Sequence, residues 1–198
     1  MKSIILATLA GAFALATAHA ADIGKAAPPF AAKDLKGAPV SLADLKGKLV
    51  VLEWVNFECP FVKKHYSSGN MPKLQADFTA KGVVWLTVNS SAKGKQGYEE
   101  PSKMAELATA KGNKASHFIM DTDGTIGKAY DAKVTPHMFI INKEGTLVYN
   151  GAIDSKATAD AADLATADKL VANALDAVLA DKEVANAKNP PYGCGVKY

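Results

Sequence analysis

The stretch Leu52-Glu53-Trp54-Val55-Asn56-Phe57-Glu58-Cys59-Pro60-Phe61-Val62-Lys63-Lys64-His65 joins a β-rich run to a helical one, with a single thiol at the junction. A cysteine at a helix N-terminus faces unpaired backbone N–H groups and the positive end of the helix dipole, and both favour thiolate over thiol. Proline is tolerated at the first helical position, where its missing N–H has no partner to lose. Cys59, followed by Pro60, is therefore a candidate nucleophile.

On the N-terminal side of this junction, Leu49 to Val55 is almost wholly apolar, β-branched or aromatic, as in a central strand buried on both faces. On the other side, Phe61, Val62, Leu74 and Phe78 predict helix from Pro60 to Ala80, interrupted or kinked at Gly69 and Pro72 and closed at Gly82. Val83 to Val88 reads as a second strand, Asn89 to Gly97 as a surface loop, and Pro101 as the opening of another helix. A short strand at His117 to Met120 and a short helix at Asp123 to Tyr130 follow. Met138 to Ile141 then pairs with Thr146 to Asn150 across the turn Asn142-Lys143-Glu144-Gly145.

Upstream, Ala31 to Val40 has the pattern of a hairpin turning at Gly37, and Ser41 caps a short helical turn. Downstream, Leu164, Val171, Leu175, Val178 and Leu179 form an apolar stripe on a last helix expected from Asp160 to Ala180. Strands alternating with helices, then a hairpin, specify an α/β domain with a mixed sheet covered by helices on both faces.

Lys2, the apolar run Ile4 to Ala16 and Ala18-His19-Ala20 read as a signal peptide over residues 1–20, cleaved before Ala21. That reading points to a periplasmic or secreted protein, with one domain over 21–180 and a tail over 181–198. The apolar run is short for a membrane span, and no later stretch approaches the ~20 apolar residues that one needs. Stable membrane insertion is not expected. The net charge is only +3 and the chain has no arginine, so bidentate guanidinium recognition of phosphate is unavailable and nucleic acid is not an expected partner. Both cysteines, Cys59 and Cys194, follow the expected cleavage site, and an oxidising compartment allows them to pair.

These residues resemble the thioredoxin-fold superfamily, in particular its redoxin branch of peroxiredoxin-like and exported thiol-disulfide proteins. The lead Pro29-Phe30 and the run Asp34-Leu35-Lys36-Gly37-Ala38-Pro39-Val40-Ser41-Leu42 look like that branch's N-terminal hairpin. Glu53-Trp54 ahead of Cys59-Pro60 is similar to the acid, aromatic and nucleophile order of thioredoxins, and Val134-Thr135-Pro136-His137 matches the motif that carries a cis-proline. The resemblance implies a thioredoxin-like fold, catalysis by Cys59, and a substrate surface built from Asn56, Pro60, Thr135 and Pro136. It departs from the branch in two places. Val62 stands where a Cys-x-x-Cys motif would have its second cysteine, and Asn56 stands three residues before Cys59 in a chain without the arginine that peroxiredoxins use.

Several residues admit two readings. Thr135-Pro136 is either a cis bond that brings backbone beside the thiol or an ordinary trans turn. Glu53 is either a buried carboxyl that shuttles protons for Cys59 or an acid that reaches the sheet edge or pairs with a lysine. Lys63, Lys64 and Lys133 can act as point charges on the thiol, although Lys63 and Lys64 also fit a solvated helix face. Trp54 reads as packing. His65 and His137 could join Cys59 around a soft ion such as copper, or lie respectively on the helix surface and within loop packing.

Cys194 sits in Asn189-Pro190-Pro191-Tyr192-Gly193-Cys194-Gly195, a segment where few packing constraints are expected. An arm from Asp181 to Cys194 can extend to ~40 Å, ample to reach Cys59. Cys194 is thus either a resolving cysteine for Cys59 or half of a static staple, which would contribute ~4–5 kcal/mol.

The expected activity is peroxide reduction by Cys59 with Cys194 resolving. Alternatives are a thiol-disulfide reductase acting on exported proteins, a copper-binding chaperone, and a redox-inert binding module. The substrate is then a peroxide or a disulfide, the partner an external thiol reductant protein, and neither a cofactor nor a metal is called for.

Overall fold

The computed structural model describes residues 21–198, so the expected signal peptide lies outside the described residues. Ala31–Lys33 (β1) and Pro39–Ser41 (β2) form the expected hairpin, and the Ser41 hydroxyl accepts from the N–H of Asp44 at 3.2 Å to start a short 3-10 turn. There follow Val50–Trp54 (β3), Pro60–Ser67 (α1), Asn70–Thr79 (α2), Val84–Asn89 (β4), Pro101–Ala110 (α3), His117–Met120 (β5) and Thr125–Ala129 (α4). Val134–Thr135 (β6), His137–Ile141 (β7), Leu147–Gly151 (β8), Leu170–Leu179 (α5) and Cys194–Gly195 (β9) complete the order.

The main sheet runs β5-β4-β3-β7-β8, with β3 parallel to β4 and antiparallel to β7. Every residue of β3 is buried. Its alternation divides the core: Val51 and Val55 pack with α1, α2, α3 and α5, while Val50, Leu52 and Trp54 pack with Ile126 and Tyr130 on the opposite face. Both outer edges are covered. Asp34 bridges to Ile119 on β5, and the Asn150 N–H of β8 donates to the Ala187 carbonyl at 2.9 Å.

The helix expected over 60–80 is two helices, because Gly69 takes a left-handed φ of 76° between them. Pro72 falls within the first turn of α2, where no N–H is required. The helix expected from Asp160 likewise begins late. The Asp160 carboxylate accepts from Ala162 N–H and sets a 3-10 turn over Ala161–Ala165, the Asp168 N–H donates to Ser155 Oγ at 2.9 Å, and α5 starts at Leu170. The loop expected to be superficial is anchored at both ends, since Asn89 Nδ2 donates to the carbonyls of Val55 and Gly97 at 3.1 and 3.2 Å.

A polar knot lies inside the α1 and α2 face of the core. Glu53 is wholly buried; Tyr66 donates to its Oε1 at 2.7 Å, while Gln75 and Trp85 each donate to Oε2 at 2.8 Å and Thr87 donates at 3.3 Å. This acid therefore ties β3 to α1, α2 and β4. Burial pushes its pKa above the ordinary 4.5, against the pull of its hydrogen-bond donors.

The tail differs most from expectation. It is fastened along its length: the Asn189 N–H donates to the Asn150 carbonyl at 3.2 Å, Val196 N–H to Lys133 at 3.0 Å, and Tyr198 OH to the Ala132 carbonyl at 2.8 Å. Between these anchors Cys194 pairs with Thr135 and Gly195 with Val134. Gly193 makes that approach possible, because a Cβ there would overlap the Thr135 carbonyl and its φ is 139°.

Gly193→Ala is expected to lift the tail from β6 and cost ~1–3 kcal/mol. Urea unfolding and loss of exchange protection at Val196 N–H check this; unchanged protection would contradict it. For Glu53 the folded pKa is raised, so its contribution is intact below 4.5 and is lost as pH rises through the folded value. Glu53→Gln, which keeps the shape of the side chain and cannot ionise, is expected to abolish that decline. An identical pH slope in urea unfolding of the two proteins would refute the assignment.

Candidate active site

β3 and α1 deliver Cys59 to the N-cap of the helix, with Pro60 exposed at the first helical position. The preceding turn is held by the Cys59 N–H donating to the Asn56 carbonyl at 3.0 Å and by Asn56 Oδ1 accepting from Glu58 N–H at 2.9 Å. The Asn56 amide donates to the Gln96 carbonyl at 3.3 Å and packs on Gly97. Its side chain, 2% exposed, is committed to this turn and loop, which corrects its expected place on the substrate surface.

Thr135-Pro136 is cis. Thr135 is buried, with its carbonyl oxygen 3.1 Å from Cys59 Sγ, and Pro136 is buried beside it. Through the β6–β9 pairing the same strand presents Cys194, whose Sγ lies 2.7 Å from Cys59 Sγ. Both cysteines are free thiols at a separation within 1 Å of the ~2.05 Å of a disulfide. The pair is asymmetric in exposure: Cys59 is 0% exposed, whereas Cys194 is half-buried.

The two thiols are also electrostatically unlike. Burial works to raise the Cys59 pKa, but hydrogen bonds from the Cys194 thiol and from the backbone N–H groups of Val62 and Cys194 outweigh it and hold Cys59 below its ordinary value. The Thr135 side chain lowers it further, and the Thr135 carbonyl oxygen lies 3.1 Å from the sulfur. Burial and the Cys59 sulfur push Cys194 up to about 11. Cys59 is thus the more acidic of the two thiols, and when it ionises the Cys194 thiol stands in place to donate to it.

Among the described residues no hydrogen bond joins Glu53 to either sulfur, so the expected proton shuttle has no direct path, and the Glu53 oxygens are bonded within the core. Two further expectations change. Lys64 and His65 are buried rather than on a solvated surface, while Lys63 is exposed as expected. Both ring nitrogens of His65 and of His137 engage protein groups, Tyr192 and Asn70 for the first, Asn150 and Lys133 for the second. Among the described residues no cluster of three His, Cys, Asp or Glu side chains converges for a metal.

Tyr192 and Asp154 were not anticipated from the sequence. Neither sits in a periodic segment, and what joins them is contact between loops distant in the chain: Tyr192 OH donates to Asp154 Oδ1 at 2.5 Å.

Comparisons with known proteins agree with this architecture. The thiol-disulfide oxidoreductase ResA of Bacillus subtilis is 32% identical over 126 residues, 63% of this chain and 64% of that protein, so the match spans less than two thirds of the relative's length. A conserved uncharacterized protein from Geobacillus kaustophilus superposes with a TM-score of 0.76 at 28% identity, covering 90% of this chain and 93% of that one. A putative thiol:disulfide interchange protein DsbE from Chlorobium tepidum gives 0.52 at 27% identity over 65% of this chain and 84% of its own. The fold is thioredoxin-like, and because residues 23–150 match the model of the AhpC/TSA family, the chain belongs to that family.

Proposed function

We propose that this protein is an exported thiol-disulfide oxidoreductase whose redox couple is Cys59 and Cys194. The observation that carries the proposal is the 2.7 Å approach of two thiols of opposite pKa shift beside a cis-proline. The names of the ResA and DsbE relatives support the same chemistry, and the N-terminal Lys2, apolar run and Ala18-His19-Ala20 support export.

In the oxidised protein Cys194 presents the accessible sulfur. A thiolate of an external dithiol protein attacks Cys194 Sγ, a mixed disulfide forms there, and Cys59 leaves as the thiolate stabilised by the helix N-terminus. The partner's second thiol then attacks its own sulfur of the mixed disulfide and releases Cys194 as thiol. Two electrons pass to the pair and the partner ends as a disulfide. The reverse sequence reduces a substrate disulfide.

A second reading is peroxide reduction, favoured by the enclosure of Cys59, since a small oxidant needs less opening around the sulfur than a folded protein does. Cys59 thiolate attacks one peroxide oxygen, the O–O bond breaks with departure of water or an alcohol, and Cys194 attacks the resulting sulfenic acid to expel water and form the disulfide. Cysteine-based chemistry serves both readings without a cofactor.

Insulin reduction and hydrogen peroxide consumption, each coupled to a dithiol, distinguish the readings. Cys59→Ser and Cys194→Ser are each expected to lower the supported activity roughly 100-fold or more; full turnover by Cys59→Ser overturns both. Thiolate absorbance of the reduced protein is expected to titrate below the ~8.5 of an ordinary thiol. Cys194→Ala removes a donor to the anion, so the Cys59 midpoint should rise; a fall would contradict the proposed pairing.

A further inference from the structure

Beneath the tail lies a second cluster of ionisable side chains that the redox chemistry does not use directly. Lys64 and His65 of α1 have fully buried side chains, and Asp154 follows β8 with its side chain 5% exposed. Lys64 Nζ stands 3.3 Å from Asp154 Oδ2 and donates to the Lys156 carbonyl at 2.9 Å. Tyr192 OH donates to Asp154 Oδ1, so it accepts from His65 Nε2, 3.1 Å away. His65 is then the neutral Nε2–H tautomer, and its Nδ1 accepts from Asn70 Nδ2 at 2.9 Å. Burial, which holds the His65 pKa down at about 4, agrees with that assignment. The Tyr192 ring also meets Phe61 at 5.8 Å between centroids.

Two features set this cluster apart from ordinary packing. The helix that carries Phe61, Lys64 and His65 is the one capped by Cys59, and Tyr192 lies two residues before Cys194. One rigid element therefore holds both Cys59 and the socket for the segment that brings the second thiol. Moreover, the socket buries an ammonium and a carboxylate. Apolar side chains would commonly fasten a tail at no loss of stability, whereas buried ionic groups fix one geometry at the cost of desolvation.

Resting on the reading of Cys59 and Cys194 as a redox couple, we infer that Tyr192, clamped by Asp154, His65 and Lys64, is a positioning residue that sets the effective concentration of the Cys194 thiol at Cys59. The pairing of Cys194 with Thr135 fixes the direction of approach; the Tyr192 clamp fixes how far along the tail the sulfur sits.

The test is equilibration of the purified protein with glutathione and glutathione disulfide, which reads that effective concentration as the equilibrium constant for closing the Cys59–Cys194 bond. Tyr192→Phe keeps the ring and removes both hydrogen bonds. It is expected to lower the constant about tenfold or more and to speed alkylation of Cys59 in the reduced protein by a similar factor. His65→Leu should act in the same direction, and His65→Gln, whose amide can donate to Tyr192, should restore most of the constant. These two variants also decide the matter should Tyr192→Phe not fold. A constant within twofold of the native one in Tyr192→Phe, or in His65→Leu, overturns the inference, as does equal loss in His65→Leu and His65→Gln. Failure of the functional reading looks different: the glutathione equilibrium would still respond to Tyr192→Phe, while neither insulin nor peroxide would be turned over by the native protein.

Discussion

The pairing of Cys194–Gly195 with Val134–Thr135 is the constraint on which the site depends. Two residues of tail, bonded to the two residues ahead of a cis-proline, bring a sulfur from the end of the chain onto a sulfur at a helix N-cap. Neither strand has the length to persist alone. Each is held by what flanks it: the tail by the Asn189, Val196 and Tyr198 anchors, and the proline strand by its continuation into the fully buried β7. Local geometry at the sulfurs is thus a product of the whole fold.

Much of that fold was legible in the chain. The apolar run before Cys59, the Gly69 break, Pro101 at a helix start and Gly145 in the hairpin all act through local backbone chemistry, and each stands where the residue types place it. The order of acid, aromatic, cysteine and proline located the thiol and its cis-proline neighbour. What was not legible depended on distant contacts. Lys64 and His65 carry the composition of a solvated helix face, and only the tail and Asp154 covering them make burial possible. Glu53 reads as a shuttle when its neighbours are unknown. With Tyr66, Gln75, Trp85 and Thr87 around it, its acceptor sites are occupied by the core.

The Pro/Gly-rich composition of the tail misled for a related reason. Proline and glycine weaken regular structure, but they do not prevent a segment from being immobilised by hydrogen bonds to an existing surface. At Gly193 the missing side chain is the means of attachment, because only a residue without Cβ can pass so near the Thr135 carbonyl. The departure from a Cys-x-x-Cys arrangement has the same root: the second thiol comes from the C-terminal tail, so the two thiols differ in exposure as well as acidity.

The cover that residues 187–189 give to β8 has a consequence beyond the thiols. An open outer strand invites pairing with another molecule, and here the shield is the same polypeptide that carries the second sulfur. Pro190 and Pro191 stand between shield and sulfur, two residues with no N–H to offer a ladder. The cover over β8 is thus held by its own bonds to Asn150 and does not depend on the β6–β9 pairing that places the sulfur, so the sheet edge and the thiol are secured separately.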